Sequence, residues 1–198
     1  LEVASDRLLQ LIQKGVTVEQ VAKVAGNLTS AGIMVHAYLM YGFPTQTVQE
    51  TVDSLEMVRQ LFQTEVIRSG FWHQFALTAH SPVGQDPEAY GLVTEKHEIT
   101  FANNDIQFSD KTNIDHDKFS YGLKKSLYNY MHGIGYEFPL QEWFNFQIPR
   151  TTVDDDFILK CLAQEEPLVI RPHAKWVWLG KSPEISAINK IIKGKKIE

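Results

Sequence analysis

Apolar residues in the first eighty positions fall alternately at helical and at strand spacing. Ser5 is placed to cap a short helix over 6–14, and Gly15 sits where a C′ glycine ends such a helix. Thr17 followed by Gln20 has the pattern of a capping box, and Val18, Val21, Ala22, Ala25 and Leu28 share one face of a helix that Gly32 ends. Residues 33–41 are apolar except for His36, the run expected of a strand buried on both faces of a parallel sheet. A turn, Gly42-Phe43-Pro44-Thr45-Gln46, follows. Thr47 and Glu50 then repeat the capping box ahead of an amphipathic helix with Val48, Val52, Leu55, Val58 and Phe62 inward. A further strand pattern runs over 66–77.

Strand, helix, strand in that order predicts a right-handed crossover and an α/β fold. Such folds place ligands at the carboxyl ends of the strands, so the turns over 42–46 and 78–85 lie on the functional rim. The pattern then changes. Residues 81–112 carry turn signals at Ser81-Pro82, Asp86-Pro87 and Asn103-Asn104-Asp105. Phe119, Leu123, Leu127, Tyr130 and Met131 predict a helix over 115–132 ended near Gly133, and 153–164 predicts another. Two short strands, 168–170 and 176–179, precede a last helix opened by Ser182-Pro183-Glu184. The chain thus divides into 1–80 and a mixed α+β region over 81–198, with the boundary between 80 and 110.

Composition narrows the classes. A net charge of −5 argues against nucleic acid as partner. No apolar run approaches the ~18 residues of a membrane span. The single Cys161 excludes an internal disulfide and any cysteine-only metal or cluster site within the chain. With no initial Met and no leader pattern, the sequence reads as a piece of a longer cytoplasmic protein. His36, His73 and His80 lie on or beside the strands, but no H-x-x-x-H or H-E-x-x-H spacing supports a hydrolytic zinc site. Asp115-His116-Asp117 and Asp154-Asp155-Asp156 read as solvated helix starts, where acidic residues favour the dipole. The lysines between 190 and 196 read as the solvated end of the final helix, and the aromatics of 138–146 as core.

The turn alone fits a tight strand-to-helix connection as well as a ligand site. Its surroundings carry more. Leu1-Glu2-Val3-Ala4-Ser5, Lys14-Gly15-Val16-Thr17-Val18-Glu19, Ala31-Gly32-Ile33 and Tyr41-Gly42-Phe43-Pro44-Thr45-Gln46-Thr47 together resemble the second half of the radical SAM catalytic barrel. The likeness is to the group described as Fe–S oxidoreductases, many with a cobalamin-binding domain, and covers residues 1 to about 80. Phe75-Ala76-Leu77-Thr78-Ala79-His80-Ser81-Pro82 and Trp176-Val177-Trp178-Leu179-Gly180 resemble the C-terminal portion of such proteins less specifically.

The resemblance implies the last strands of a partial (β/α) barrel. It implies S-adenosylmethionine (SAM) and a [4Fe–4S] cluster in the parent protein, with cobalamin as a further cofactor. The cluster's C-x-x-x-C-x-x-C loop is absent, so its ligands belong to a missing N-terminal part and the fragment alone is inactive. Met40, Gly42, Phe43 and Pro44 then contact the adenine, Glu2 and Ser5 meet the ribose or methionyl amine, and His73 and Phe75 face adenine or substrate. Glu2 also fits a simple charge at the helix start. The resemblance leaves the substrate, small molecule or macromolecule, to parts outside the SAM site. The expectation for Gly42→Val is a larger loss of SAM affinity than of stability. The competing classes are a non-catalytic binding module, with aromatics such as Trp143 and Phe144 as its surface, and a histidine-metal hydrolase.

Overall fold

The computed structural model describes residues 2–95 and 104–163, together with the backbone of 190–192 and 195–197. The chain divides into two compact units, Leu1–Glu165 and Glu166–Glu198. The larger is mixed α/β. Helices α1 (Asp6–Leu11) and α2 (Val18–Ser30) lead to strand β1 (His36–Tyr41), helix α3 (Val48–Gln63) and strand β2 (Ser69–Gln74). The short helix α4 (Pro82–Gln85) and strands β3 (Leu92–Thr94) and β4 (Phe108–Asp110) follow, then helices α5 (Ser120–Met131) and α6 (Phe157–Ala163). β1 and β2 are parallel, with His36 opposite Ser69 and Tyr41 opposite Gln74, so α3 is the predicted crossover. β3 and β4 form an antiparallel pair. No sheet of the described residues closes into a barrel.

Local chemistry sets the helix ends. Both capping boxes form: the Thr17 and Thr47 hydroxyls accept the N–H groups of Gln20 and Glu50, whose side chains accept the threonines' own N–H groups. α2 ends at Gly32, as expected, with the Gly32 N–H donating to the Thr29 carbonyl and the Ile33 N–H to that of Leu28. α1 ends earlier than its pattern predicts. Gln13, at φ +55°, takes the left-handed position expected of Gly15, and the Lys14 N–H closes the motif on the Leu9 carbonyl. Two polar residues in sequence after Ile12, Gln13 and Lys14, leave little to bury in another turn.

The core forms two clusters. One gathers Ala37, Leu39, Tyr41 and Trp72 from one face of the sheet with Val52, Leu55, Val58 and Phe62 of α3 and Leu123, Leu127 and Tyr130 of α5. The other joins Val3, Leu8, Leu9 and Val18 to Met40, Phe43, Leu77, Val83 and Leu92. Both clusters thus draw residues from before and after position 80.

Three expectations change. β1 is not covered on both faces along its length: Tyr38 is 63% exposed, and Ile33 and Met34 ahead of the strand are exposed too, because on the face opposite Leu39 the second cluster reaches only Met40 at the strand's end. His116 is not a solvated helix-start residue, since both its ring nitrogens are buried; Asp115 and Asp117 beside it are exposed. Residues 190–197 are not a helix end but an antiparallel pair, β5 (Lys190–Ile192) with β6 (Lys195–Ile197), as suits β-branched isoleucines. The strands expected at 168–170 and 176–179 and the helix start at 182–184 lie outside the described residues. No helix among the described residues is long and apolar enough to cross a membrane.

Candidate functional site

The carboxyl ends of β1 and β2 open into a cleft of about 510 Å³. Its floor is Gly42 with Gln74, Phe75, Ala76 and Leu77, and its far wall is the stretch from Asp105 to Asp110. The floor is closed by the Phe75 N–H donating to the Tyr41 carbonyl, and the wall is tied to the strand ends by the Ile106 N–H donating to Leu77 and the Ala79 N–H to Asn104. Asn113 to Asp117 close the remaining side and bring His116 over Gly42. A cleft of this size falls within the usual range for small-molecule sites.

The turn is held by a residue that sequence reasoning passed over. Gln46 is fully buried, and its Oε1 accepts the N–H of Gly42 at 2.7 Å and of Phe43 at 3.1 Å. These two donors therefore face into the protein rather than toward a ligand. Gly42 sits at φ +76°, where a Cβ would lie 3.3 Å from Cβ and 3.4 Å from Cγ of His116. Thr45, also at positive φ, donates its N–H to Asp110 and is held on its other side by Arg7, which donates to its hydroxyl and carbonyl. A glutamine three to five residues after a turn glycine carries no distinctive sequence signal, so only its depth of burial identifies this role.

The expected site residues separate into groups. Gly42 and Phe75 line the cleft. Met40, Phe43 and Pro44 are buried around it; Met40 and Phe43 belong to the second apolar cluster, and Phe43 meets Phe75 edge-on at 5.0 Å. His73 pairs in register with Met40 on the sheet rather than lining the cleft. Glu2 accepts the Met40 N–H with its carbonyl, while its carboxylate pairs with Lys14 at 2.8 Å. Ser5 caps α1 and donates to Glu50, which also takes a two-point contact from Arg7. Ser5 thus reaches the turn only through Glu50 and Arg7.

The electrostatics of the cleft are acidic. Asp105, Asp110, Asp115 and Asp117 line it. Burial pushes the Asp110 carboxyl up, but hydrogen bonds from the Thr112 hydroxyl and the N–H groups of Thr45 and Thr112 outweigh it and hold it below the usual carboxylate range. His116 is held below the ordinary histidine range by burial, which prevails over the pull of Asp110 and Asp115. Its neutral ring has one donor and one acceptor, and neither finds a partner. Cys161 is 3% exposed in α6, and burial pushes its thiol up. Among the described residues no group of three or more His, Cys, Asp or Glu side chains is placed to hold a metal ion.

Set beside known proteins, the chain matches no family model and no curated protein.

Proposed function

We propose that this chain is the C-terminal part of a radical SAM enzyme, an iron–sulfur oxidoreductase, and that the cleft beyond β1 and β2 takes the nucleoside part of SAM. The observation that carries the reading is the place of Gly42: on the floor of a cleft at the carboxyl ends of two parallel strands, in the turn whose sequence resembles that family. On this reading β1 and β2 are the last strands of a partial barrel, and the face bearing Tyr38 and Phe71 looks into its interior.

The residues fit SAM. Phe75, Leu77, Ile106 and Phe108 give the cleft an apolar wall for a flat base, and Asp105, Asp115 and Asp117 give carboxylates for cationic groups. Bound SAM supplies a hydrogen-abstracting radical once it is reductively cleaved; this chain's residues bind it, orient it and exclude water. They do not fit the cluster. A [4Fe–4S] centre of this kind needs three thiolates, and the only cysteine here is buried in a helix. The cluster, and any cobalamin domain, belong to the segment preceding Leu1 in the parent polypeptide.

The test is to express the parent anaerobically, reconstitute its cluster and assay reductive cleavage of SAM to methionine and 5′-deoxyadenosine. Cleavage that falls when Phe75 is replaced by Ala supports the reading. A parent without a C-x-x-x-C-x-x-C loop in the preceding half-barrel overturns it.

A further inference from the structure

A second cleft, of about 540 Å³, lies beside the first, and Asp117 lines both. The start of α5 forms one wall with Lys118, Tyr121 and Lys125, which steps of three and four place on one face. The chain from Glu142 to Phe146 forms the other wall, and the buried Trp143 and Phe144 make an apolar floor. Gly122 lets the two walls meet, since a Cβ there would run into the Phe144 ring and the Trp143 carbonyl oxygen. The lysines hold an unusual position. The Lys118 ammonium lies 5.1 Å from the centre of the Phe146 ring and 5.3 Å from that of Phe119. The Lys125 ammonium lies 5.8 Å and 5.9 Å from the centres of Tyr121 and Trp143. Both are drawn over ring faces. Asp117 and Glu142 line the same cleft, yet among the described residues neither lysine has a hydrogen bond or a carboxylate partner. Three N–H donors on each ammonium therefore remain for a ligand.

We propose that this second cleft binds a nucleoside monophosphate whose base carries an amine. Lys118 and Lys125 take the phosphate, the ring-lined floor takes the flat base, and Glu142 and Asn145 accept from the amine edge. The mixture of charges selects this class. A simple anion would leave the carboxylates of Asp117 and Glu142 facing it, and a polyamine would leave the two ammoniums facing it. An amine-bearing nucleotide uses both signs and the apolar floor as well. Lysine suits phosphate because it acts as a point charge and needs no fixed approach. Contact with aromatic rings tolerates any base, so the choice of base falls to the polar edge. The proposal does not rest on the reading of the first cleft as a SAM site.

The experiment titrates the purified 198-residue chain with AMP by calorimetry and follows the same titration by nitrogen-15 NMR. AMP should bind saturably, and more tightly than adenosine, inorganic phosphate or UMP, whose base lacks the amine. Lys118→Gln and Lys125→Gln should each weaken AMP by about tenfold or more, the worth of a hydrogen bond to a charged group, and should flatten the dependence on salt. Lys125→Arg, which keeps the charge, should keep most of the affinity. Both lysines are exposed, so these variants should unfold at the same urea midpoint as wild type. In the spectra AMP should shift the amides of Tyr121, Gly122, Lys125 and 143–146 and leave those of Gly42 and 75–77 in place. Shifts at Gly42 and Phe75 instead put the nucleotide in the first cleft and overturn the proposal. Lysine variants that bind AMP as wild type does overturn it too, as does equal binding of AMP, UMP and inorganic phosphate. No binding of AMP overturns it outright and leaves the SAM reading of the first cleft standing.

Discussion

Gln46 shows how one buried acceptor shapes a site. Its oxygen takes the N–H groups of both Gly42 and Phe43, and without it two buried donors are left without partners. Gln46→Ala should therefore destabilise the chain by about 2–4 kcal/mol, from two orphaned donors and a small cavity, read from urea unfolding. Gln46→Met, which keeps the volume but loses the acceptor, should cost nearly as much if the hydrogen bonds dominate. Gly42 is a second place where the backbone limits substitution. At φ +76° any side chain costs about 1–2 kcal/mol, and a valine would also meet His116, so Gly42→Val should lower stability by at least that much, read from urea unfolding. Glu50 supplies a pH dependence. Burial pushes its carboxyl up, but hydrogen bonds from Arg7, the Thr47 N–H and Ser5 prevail and hold it below its ordinary value. A carboxyl lowered by folding stabilises above its unfolded pKa, and that contribution is lost as pH falls through the folded value. Melting temperature should therefore fall on acidification below about pH 4.5 in wild type, and less steeply in Glu50→Gln, which lacks this proton uptake.

At the scale of elements, the helices of the first eighty residues are legible because their signals are local. Thr17 with Gln20 and Thr47 with Glu50 act within four residues, and each box forms as its spacing predicts. Helix ends are less legible, because a left-handed residue need not be glycine. Gln13 closes α1 at φ +55° and Glu65 follows α3 at φ +57° in the same arrangement, the Val66 N–H donating to the Leu61 carbonyl. Gln13→Gly should thus stabilise by about 0.5–1 kcal/mol, the relief of left-handed strain less glycine's added chain entropy, seen as a raised midpoint in urea. A loss of stability would mean that the Gln13 side chain contributes more than the strain removes. The candidate site is legible only in its floor. Gly42 and Phe75 lie in strand-end segments that the pattern marks, whereas Asp110 and His116 arrive from a stretch whose position depends on contacts distant in sequence: the Thr45 N–H on Asp110 and Phe119 in the core. Such contacts leave no period to read.

For the whole molecule, the open question of energy is the second face of the β1–β2 pair. One face is buried by α3 and α5, but on the other Tyr38 and Phe71 sit opposite each other, 63% and 52% exposed, beside the edge-on contact of Tyr38 with His36. Two large aromatics adjacent on a strand pair form the kind of apolar surface that soluble chains ordinarily cover. If these strands are the last of a barrel whose other strands lie in the preceding segment, that face is interior in the parent and exposed only in the isolated chain. The two settings then give opposite results for one substitution. In the isolated chain Phe71→Ser removes a side chain with little packing to lose, so stability should change by no more than about 0.5 kcal/mol, and the protein should aggregate less. In the parent the same change empties a packed interior position and should cost about 3–5 kcal/mol, the range for losing a large buried aromatic. Urea unfolding of both proteins, each with and without the substitution, makes the comparison. A parent as indifferent to Phe71→Ser as the isolated chain would show that this face meets solvent in both, and that β1 and β2 do not continue into a barrel.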